Sequence, residues 1–516
     1  MIVRARCLSR RNVKNRSMQL FLLCMLLSVI LISCNQDTSK QGIILPVQNN
    51  PSKIKADVAV DIDTTSPLLT SQFSPGFSHI DTSLDVQQGN NPAAINSVKT
   101  LLKQAMPYQD TPIMAWGAPD PWPDPNQPEP TNWSYLDNRL QLIQETGGIP
   151  VLTLSEAPWW MKGELQPNGS TRVLTQADEW TDIAYNSRIL DNKMGAWLHL
   201  VQRVAERYMA PPYNVRYFQV WNELKGYYNP ISNAYDYTTS AGDFSGPNAE
   251  HGYTYMYNQV YDRLMLVAKA QNIPTQSIKV GGPYVVMDTW SSPNQSQLSN
   301  ITKAYGTFDQ RSLDVVLYWL QHKNGAGFIT LDASNSNRDI LSRADPFTAA
   351  EKFADVTQWL RSLDPTTYPG TRTLPVWFAE WYATSYNYAP SDAYNTAIKT
   401  YALMKFLEAG GSVALLWGSM GVTPTDVSIW TPTNQSGGGQ ALPFYYVLKE
   451  LNDNFASGVR IYQTIISSPA SVEALASSNR VMLVNKTEKT LTVSINYKRV
   501  VSLQPYQVGV VPLPAL

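Results

Sequence analysis

The amino-acid sequence predicts the α/β class, as a (β/α)8 TIM barrel with a small accessory β-sandwich. Between residues 73 and 455, eight short apolar segments alternate with longer amphipathic segments. The Gly-rich turn that would favour a doubly wound sheet, G-x-G-x-x-G or G-x-x-x-x-G-K-[ST], is missing from the sequence. After residue 455 the helical pattern stops, and segments such as RVMLVNKT and KTLTVSINY alternate as antiparallel strands do. The sequence therefore predicts a barrel at 73–455 and a β-sandwich at 456–516.

Residues 1–34 have the features of a bacterial lipoprotein signal peptide. A basic start is followed by an apolar stretch at 18–32 and then by Leu-Ile-Ser-Cys, which ends at Cys34. This pattern predicts cleavage before Cys34, lipidation of its thiol and an extracytoplasmic location, anchored by lipid to a bacterial membrane. The alternative, an uncleaved membrane anchor, needs a longer apolar stretch. Because Cys7 and Cys24 would leave with the signal peptide, the mature chain would keep no thiol for disulfides, metal binding or catalysis.

The segment between the lipobox and the barrel has two parts. Residues 35–53 are rich in Asn, Gln, Ser and Pro and show no helical stripe, which predicts a polar tether. Residues 54–63 alternate apolar with charged or small residues, which predicts one strand with a single solvated face. No helical pattern follows this strand before the barrel begins, so we expect residues 54–72 to join the C-terminal β domain.

The barrel strands are predicted at the eight apolar segments, with helices between them. In TYMYNQVYDRLMLVAKAQ, for example, Tyr253, Met256 and Tyr257 recur at three- and four-residue steps with later apolar residues, as on one buried helix face. In chain order the strand segments are GFSHID near residue 76, TPIMAWG at 111, GIPVLTLSEA at 148, VRYFQVWNE at 215, IKVGGPYV at 278, GFITLDAS at 327, PVWFAEW at 375 and SVALLWG at 412.

Composition favours a carbohydrate partner over a nucleic acid. Lys and Arg number 40 and Asp and Glu 41, so the formal net charge of -1 provides no basic field to hold a polyanion. The 15 Trp and 28 Tyr exceed what a core usually needs, and their ring faces can stack on the apolar faces of sugars. His199, His251 and His322 lack the spacing of metal ligands, so no metal or cofactor is predicted. The oligomeric state is not predicted.

Two glutamates stand at the ends of predicted strands, where the active sites of such barrels lie. Glu223 ends the fourth strand after VRYFQVWN, and Glu380 ends the seventh after PVWFA. Each alone could be an ion-pair partner or a helix cap. Together, from opposite sides of the barrel mouth, they can flank one scissile bond as a general acid and an ionised nucleophile. A retaining glycosidase needs its carboxyl groups about 5 to 5.5 Å apart, and an inverting enzyme needs a wider gap.

These motifs resemble clan A of the retaining glycoside hydrolases, in which Asn-Glu ends strand four and Glu ends strand seven. The segments WSYLDNRLQLIQETGGIPVLTLSEAPWWM, FQVWNELKGYYN, KVGGP and WFAEWYATSYNY are most similar to family 39, the β-xylosidase and α-L-iduronidase family. The resemblance covers most of residues 73–455. It implies that Glu223 is the acid/base, that Glu380 is the nucleophile and that Asn222 contacts the sugar 2-hydroxyl. In a departure from that pattern, Leu224 follows the acid/base where the family usually has proline.

Other strand ends supply candidate substrate contacts. Asp332 stands where related sequences usually have His or Tyr; it could bind a sugar hydroxyl or cap the next helix, and we favour the cap. His79 could bind substrate, but a histidine satisfied inside the protein is an equal alternative. The aromatic candidates for stacking on a sugar are Trp159, Tyr284, Trp381 and Trp417.

The sequence thus predicts a retaining glycoside hydrolase that cleaves O-glycosidic bonds in polysaccharides or oligosaccharides, with the resemblance pointing to β-xylosidase-like action. Two alternatives remain open at this stage: a non-catalytic carbohydrate-binding surface lipoprotein, and an endo-acting clan A glycosidase of another family. The long segment 229–250, directly after the predicted acid/base, is expected to lie over the leaving-group side, because loops of this length are usually functional.

Overall fold

A computed structural model describes ten ranges of the chain. The predicted signal peptide with Cys34, and most of the predicted tether, lie outside them. No helix in the described part is long and apolar enough to cross a membrane. The described ranges are 43–48, 55–80, 84–86, 89–166, 168–240, 250–295, 297–339, 344–384, 392–417 and 428–513.

The described ranges contain both strands and α-helices. The strands are β1 Val58–Thr70, β2 Ser74–Ser78, β3 Tyr108–Pro112, β4 Ile149–Leu154, β5 Lys162–Leu165, β6 Thr171–Val173, β7 Arg188–Ile189, β8 Tyr217–Val220, β9 Tyr228–Asn229, β10 Ala234–Tyr235, β11 Lys279–Val286, β12 Thr289–Trp290, β13 Leu298–Lys303, β14 Gly306–Asp309, β15 Phe328–Ser334, β16 Val376–Tyr382, β17 Val413–Trp417, β18 Arg460–Ile466, β19 Val472–Ser477, β20 Arg480–Asn485, β21 Leu491–Ile495, β22 Arg499–Leu503 and β23 Val508–Pro512. The helices are α1 Pro92–Ala105, α2 Ser134–Glu145, α3 Asp182–Tyr185, α4 Met194–Tyr208, α5 Tyr253–Ala270, α6 Gln310–His322, α7 Pro346–Ala350, α8 Lys352–Ser362, α9 Asp392–Glu408 and α10 Pro443–Asn454.

Eight parallel strands close into a barrel in the order β2-β3-β4-β8-β11-β15-β16-β17, and β17 pairs with β2. The predicted fold class is therefore confirmed. The second strand lies earlier than predicted, at Tyr108–Pro112. It ends there because Pro112 has no N–H for the ladder and because Ala115 and Trp116 take φ values of 67° and 44°, outside the strand region.

The C-terminal strands form a second, separate sheet with β1. Its order is β22-β21-β1-β18-β19-β20-β23, and β1 runs antiparallel to β18 and parallel to β21. Residues 43–48 bind both edges of this sheet: Leu45 N donates to Val510 O at 2.9 Å, and Gln48 N donates to Val500 O at 3.0 Å. The prediction of a polar tether is therefore wrong for residues 43–48. Their backbone N–H groups bind carbonyl oxygens of the two edge strands, and Leu45 is buried in the core of the sheet.

The β domain packs against the helical layer of the barrel. Lys405 of α9 lies 3.1 Å from Glu473 of β19, and both side chains are largely buried. Phe347 of α7 and Tyr394 of α9 contact the ring of Tyr506. Because a buried ion pair and ring packing cross this boundary, the two domains share a continuous interface.

The barrel interior is layered along its axis. At its amino end, Phe328 stacks on Trp377 with ring centroids 4.0 Å apart, and Tyr217 stacks on Trp377 at 5.5 Å. Above this aromatic plug, the buried Thr153 hydroxyl donates to Asp110 at 2.7 Å. The interior therefore changes from apolar to polar toward the carboxyl ends of the strands, which is where the candidate site lies.

Candidate active site

The turn after β8 holds Glu223 in an uncommon backbone conformation. Trp221, Glu223 and Leu224 take φ values of 70°, 44° and 52°, in the left-handed region that non-glycine residues seldom occupy. Trp221 is buried, and its Nε1 donates to the carbonyl oxygen of Lys225 at 2.8 Å. Such strain is tolerated only where the surroundings determine it, and it clusters at functional sites. The indole thus anchors a turn that presents Glu223 at the barrel mouth.

The backbone conformation of Leu224 explains why leucine, and not the proline usual in the family, follows Glu223. Its φ of 52° is inaccessible to proline, whose ring fixes φ near about -65°. The side chain of Leu224 is also buried among the core residues. The turn after the predicted acid/base therefore has a different backbone from one that carries Glu-Pro.

Three carboxyl groups meet at the carboxyl end of the barrel. One oxygen from each of Glu223, Asp332 and Glu380 lies within 4.8 Å of the other two. The two predicted catalytic glutamates are thus brought together from β8 and β16, as the sequence predicted. This distance between single oxygens is compatible with the close pair that a retaining glycosidase needs, in which the carboxyl groups are about 5 to 5.5 Å apart.

A β-bulge turns Glu380 into this cluster. The register of β15 and β16 pairs Leu331 with Phe378 and then Asp332 with Glu380, so Ala379 is an extra residue. Regular alternation from Trp377, which faces the interior, would otherwise send Glu380 outward. The bulge therefore places an interior ring and an interior carboxylate on the same strand, three residues apart.

Among the described residues, Tyr382 donates a hydrogen bond to Glu380, whose pKa is strongly perturbed. Tyr382, two residues on and on the same face, donates its hydroxyl to Glu380 Oε1 at 2.5 Å. Burial and the nearby Glu223 raise the pKa of Glu380 well above its usual value, while the Tyr382 bond and Lys225 act in the opposite direction. Tyr382 and Lys225 therefore favour the ionised form that a nucleophile needs.

Glu223 is paired with a lysine that sequence reasoning missed. Lys225 Nζ lies 2.7 Å from Glu223 Oε2 and 4.9 Å from the ring centroid of Tyr185. Burial lowers the pKa of Lys225, but Glu223, Glu380 and Asp332 together outweigh burial and the pKa is raised. The hydroxyl of Tyr185 donates to Asn222 Oδ1 at 3.3 Å, which leaves the Asn222 amide N–H groups for a ligand.

Asp332 does not cap a helix, so the interpretation that we favoured from sequence is wrong. Asp345, thirteen positions later in the chain, caps α7 instead. Asp332 is 4% exposed, and neither of its carboxyl oxygens accepts a hydrogen bond from a described donor. Burial, followed by the charges of Glu380 and Glu223, raises its pKa well above the usual value. The side chain belongs to the carboxyl cluster.

Tyr284 also lies at the cluster, as a second bulged residue. The register of β11 and β15 skips it between Pro283 and Val285, and its φ is 53°. Burial and then Asp332 and Glu380 raise the pKa of its hydroxyl, which stays protonated. Its position near the carboxyl groups is that of a candidate substrate contact.

Two predicted substrate contacts lie in the wrong layer. His79 is buried on the outer face of β2, where its Nε2 lies 2.9 Å from Gln109 Oε1 and its ring lies edge-on to Phe77 at 5.1 Å. Burial lowers the pKa of His79 to about 4. Trp381, next to the inward Glu380, packs outward against Phe353 at 6.0 Å. Adjacent strand residues point to opposite faces, so these two side chains reach the helix layer and not the mouth.

The remaining aromatic candidates line the mouth and a neighbouring cleft. Trp417 meets Trp116 edge-on at 5.2 Å, and Trp116 meets Tyr185 in the same way at 5.5 Å. Trp159 lines a solvent-open cleft next to these rings. Trp160 is buried, as an aromatic residue packed under the loop would be, and its Nε1 donates to Trp122 O at 3.0 Å.

Tyr185, Lys225 and Tyr382 were missed because their signals in the sequence are weak. Tyr382 could have been found, since it follows Glu380 by two residues and therefore shares its face. Tyr185 is the last residue of the short helix α3, and Lys225 depends on the left-handed turn after Trp221. The predicted loop segment at 229–250 lies partly outside the described residues, at 241–249.

The carboxyl cluster offers three oxygen ligands, the donor type that hard divalent cations prefer. Its fit to a metal is poor, because the ammonium of Lys225 already binds Glu223 at 2.7 Å and Tyr382 already donates to Glu380. A metal ion bound to all three carboxyl groups would have to displace that ammonium from Glu223. The arrangement suits acid–base and nucleophilic chemistry better.

No protein-family model matches the sequence, and no curated protein matches it. Among solved structures, SrfJ from Salmonella typhimurium is similar to this chain, with 11% sequence identity and a TM-score of 0.57. The match covers 90% of this chain and 94% of SrfJ. An endo-beta1,6-glucanase matches at 13% identity, 89% of this chain, 94% of that chain and a TM-score of 0.52. A GH39 beta-xylosidase from Caulobacter crescentus matches at 15% identity, 85% of this chain, 83% of that chain and a TM-score of 0.48. At such low identities, what the first two share with this chain is the fold.

Proposed function

We propose that this chain is a retaining glycoside hydrolase that cleaves O-glycosidic bonds in oligosaccharides or polysaccharides by double displacement. The observation that carries the proposal is the close approach of Glu223 and Glu380, because one carboxyl oxygen of each lies within 4.8 Å of one of the other. The motif resemblance to clan A and the shared barrel fold of glycoside hydrolases support it. Fold alone would not, since TIM barrels host many reactions.

In the first step, Glu380 attacks the anomeric carbon and Glu223 protonates the departing oxygen. The C–O bond to the leaving group breaks as the bond to the Glu380 carboxylate forms, which gives a glycosyl ester. Burial and the neighbouring carboxylates raise the pKa of Asp332 and of Glu380, so the carboxyl cluster retains a proton that can reach the departing oxygen through Glu223. Lys225 must release Glu223 as that proton arrives, because its charge favours the ionised form.

In the second step, Glu223 accepts a proton from water, and the oxygen of that water attacks the anomeric carbon. The ester to Glu380 breaks, and the sugar leaves with its original configuration. Lys225 assists here, since it stabilises the ionised Glu223 that acts as the base. Asn222, oriented by Tyr185, is placed to bind the 2-hydroxyl next to the reacting carbon.

The deciding experiment is product stereochemistry on a panel of aryl glycosides and oligosaccharides, followed by proton NMR. We expect the first-formed anomer to keep the configuration of the substrate, and a 2-deoxy-2-fluoro glycoside of an accepted sugar to label Glu380. Inversion would contradict the close-pair mechanism. Sugar binding without hydrolysis of any panel member would instead favour the non-catalytic carbohydrate-binding protein.

The finer specificity and the location are separate parts of the proposal. The family 39 motifs favour exo-acting, β-xylosidase-like cleavage, and an internal cut pattern on xylo-oligosaccharides would favour an endo-acting enzyme of another clan A family. The lipobox favours an extracytoplasmic enzyme anchored through Cys34. Membrane fractionation of wild type and Cys34→Ser tests that anchor. We expect the variant to be released from the membrane.

A further inference from the structure

Asp332 is the carboxyl group that the two-step mechanism does not use. It is 4% exposed, and both its oxygens lack a described donor. One of its oxygens lies within 4.8 Å of oxygens from Glu223 and Glu380, so it faces the reacting centre. A buried carboxylate is costly unless it is hydrogen-bonded or paired with a cation. In the free protein Asp332 avoids this cost by keeping its proton, as its raised pKa indicates, and it can ionise when a ligand at the reacting centre supplies the missing donors.

The charge balance of the cluster indicates what kind of donor fits. Among the described residues, Lys225 is the base that forms an ion pair with the cluster, and its contact is with Glu223 at 2.7 Å. When Asp332 is ionised, three carboxylates therefore face one ammonium. A sugar hydroxyl would give Asp332 one donor and no charge, whereas an ammonium gives three donors and a positive charge. Charge-assisted bonds of this kind are shorter and stronger than neutral ones.

We propose that the sugar bound at the reacting centre carries a free ammonium group that Asp332 holds, so that the substrates are glycosides of unacetylated amino sugars. This inference rests on the proposed function, because the mechanism fixes which sugar lies beside Glu223 and Glu380. An N-acetyl group would place a bulky neutral amide against Asp332 and leave the carboxylate without a cation. The structure thus favours glucosamine- or galactosamine-type glycosides over acetylated and neutral ones.

The cleft next to the reacting centre also has features that suit an ammonium group. Its walls include the rings of Trp116, Trp159 and Trp180, and the carboxyl groups of Glu179 and Asp182. Among the described residues, neither of these two acids forms an ion pair. Aromatic faces combined with carboxylates bind ammonium groups, through cation–π and Coulomb attraction.

The one basic residue in the lining of this cleft is already neutralised. Lys162, within the described lining, is buried and forms an ion pair with the buried Glu156. The cleft also adjoins the reacting centre, because Trp116 contacts Tyr185 at 5.5 Å and Tyr185 donates to Asn222. A second amino sugar of a cationic chain therefore fits beside the one that Asp332 holds.

The test compares matched sugars on wild type and Asp332→Asn. Binding is measured by calorimetry with glucosamine and galactosamine oligosaccharides and their N-acetylated counterparts, using the Glu380→Gln background to prevent turnover. We expect the unacetylated forms to bind about 10- to 100-fold tighter, and Asp332→Asn to abolish that preference. The change is isosteric, so we expect the fold to be kept, and circular dichroism and the Tm check this. Equal or tighter binding of the acetylated forms would overturn the proposal.

Hydrolysis by wild type separates this inference from the proposed function. If neutral or acetylated glycosides are cleaved faster than amino glycosides, with loss in Glu223→Gln, the glycosidase stands and the Asp332 inference fails. If amino oligosaccharides bind in an Asp332-dependent way but none is cleaved, the ammonium site stands and the glycosidase fails. Glu179→Gln tests the cleft: we expect about 3-fold weaker binding of a trimer and unchanged binding of the monosaccharide.

Discussion

The two ends of the barrel interior are built from the same strands but follow opposite rules. At the amino end, Phe328 of β15 and Trp377 of β16 stack 4.0 Å apart and are almost fully buried. At the carboxyl end of the same two strands, Asp332 and Glu380 bring like charges together under burial. Packing of the first kind stabilises a fold, and a cluster of the second kind destabilises it. The difference indicates that the barrel is locally less stable at its carboxyl end, where the catalytic chemistry is proposed.

Glu380→Gln gives the sharpest separation of the two ends. We expect kcat/KM on the best panel substrate to fall by at least about 10⁴-fold, since the nucleophile is lost. The free energy of unfolding at pH 7 should stay level or rise, because one of the crowded charges is removed. Steady-state kinetics and urea titration measure the two effects. A large loss of stability would show that Glu380 holds the fold together and would break the comparison.

Trp377→Ala is the matching change at the amino end. We expect it to lower the free energy of unfolding by about 3 to 5 kcal/mol, because a fully buried indole leaves a cavity that its neighbours cannot fill. The kcat/KM of the protein that remains folded should change little. Trp180→Ala, at a side chain that is 57% exposed, is the control and should alter stability by less than about 0.5 kcal/mol. If both variants unfold alike in urea, the aromatic plug is not the stabilising end.

The comparison also shows what the sequence could predict. Apolar strand segments and their spacing were enough for the eight-stranded barrel, because each strand is buried on both faces and reads as an apolar run. Glu223 and Glu380 were predictable for the same reason, since a carboxylate stands out at the end of such a run. The amino-end plug needs no special backbone, and its strands follow regular alternation.

The errors come from features that alternation does not reveal. Two neighbouring residues of a strand cannot both face the mouth, so Trp381 points outward once the bulge at Ala379 turns Glu380 inward. His79 points outward by ordinary strand alternation, because it follows the outward-facing Phe77 by two residues. Asp332 looked like a helix cap because nothing local in the sequence indicates that three strands bring their carboxyl groups together.

His79 offers a test of burial away from the mouth. Its pKa is lowered to about 4 by burial, from 6.5. The unfolded chain therefore binds more protons between pH 6.5 and pH 4, and the native state loses stability as pH falls through that window. Relative to His79→Gln, we expect wild type to lose about 3 kcal/mol between pH 7 and pH 4.

Urea titrations of wild type and His79→Gln at several pH values measure this difference. Taking the difference between the two proteins removes the contribution of buried acids such as Asp110, whose raised pKa of about 7 acts with the opposite sign over much of the range. A difference that does not vary with pH would show that the imidazole is solvated, and would place His79 near the substrate after all.

Tyr382→Phe has the smallest expected effect of these changes. It tests how Glu380 stays ionised in its buried position at the barrel mouth. The hydroxyl donates to Glu380 Oε1 at 2.5 Å and lowers the pKa of that carboxyl against the effect of burial. Without this donor the pKa of Glu380 rises, so we expect the acid limb of the kcat/KM profile to move upward by about one pH unit. At the pH optimum kcat should fall about 10-fold, because a hydrogen bond to a charged group is lost. A lower kcat with an unmoved acid limb would mean that Tyr382 positions the substrate, and that some other contact keeps the nucleophile ionised among its like-charged neighbours.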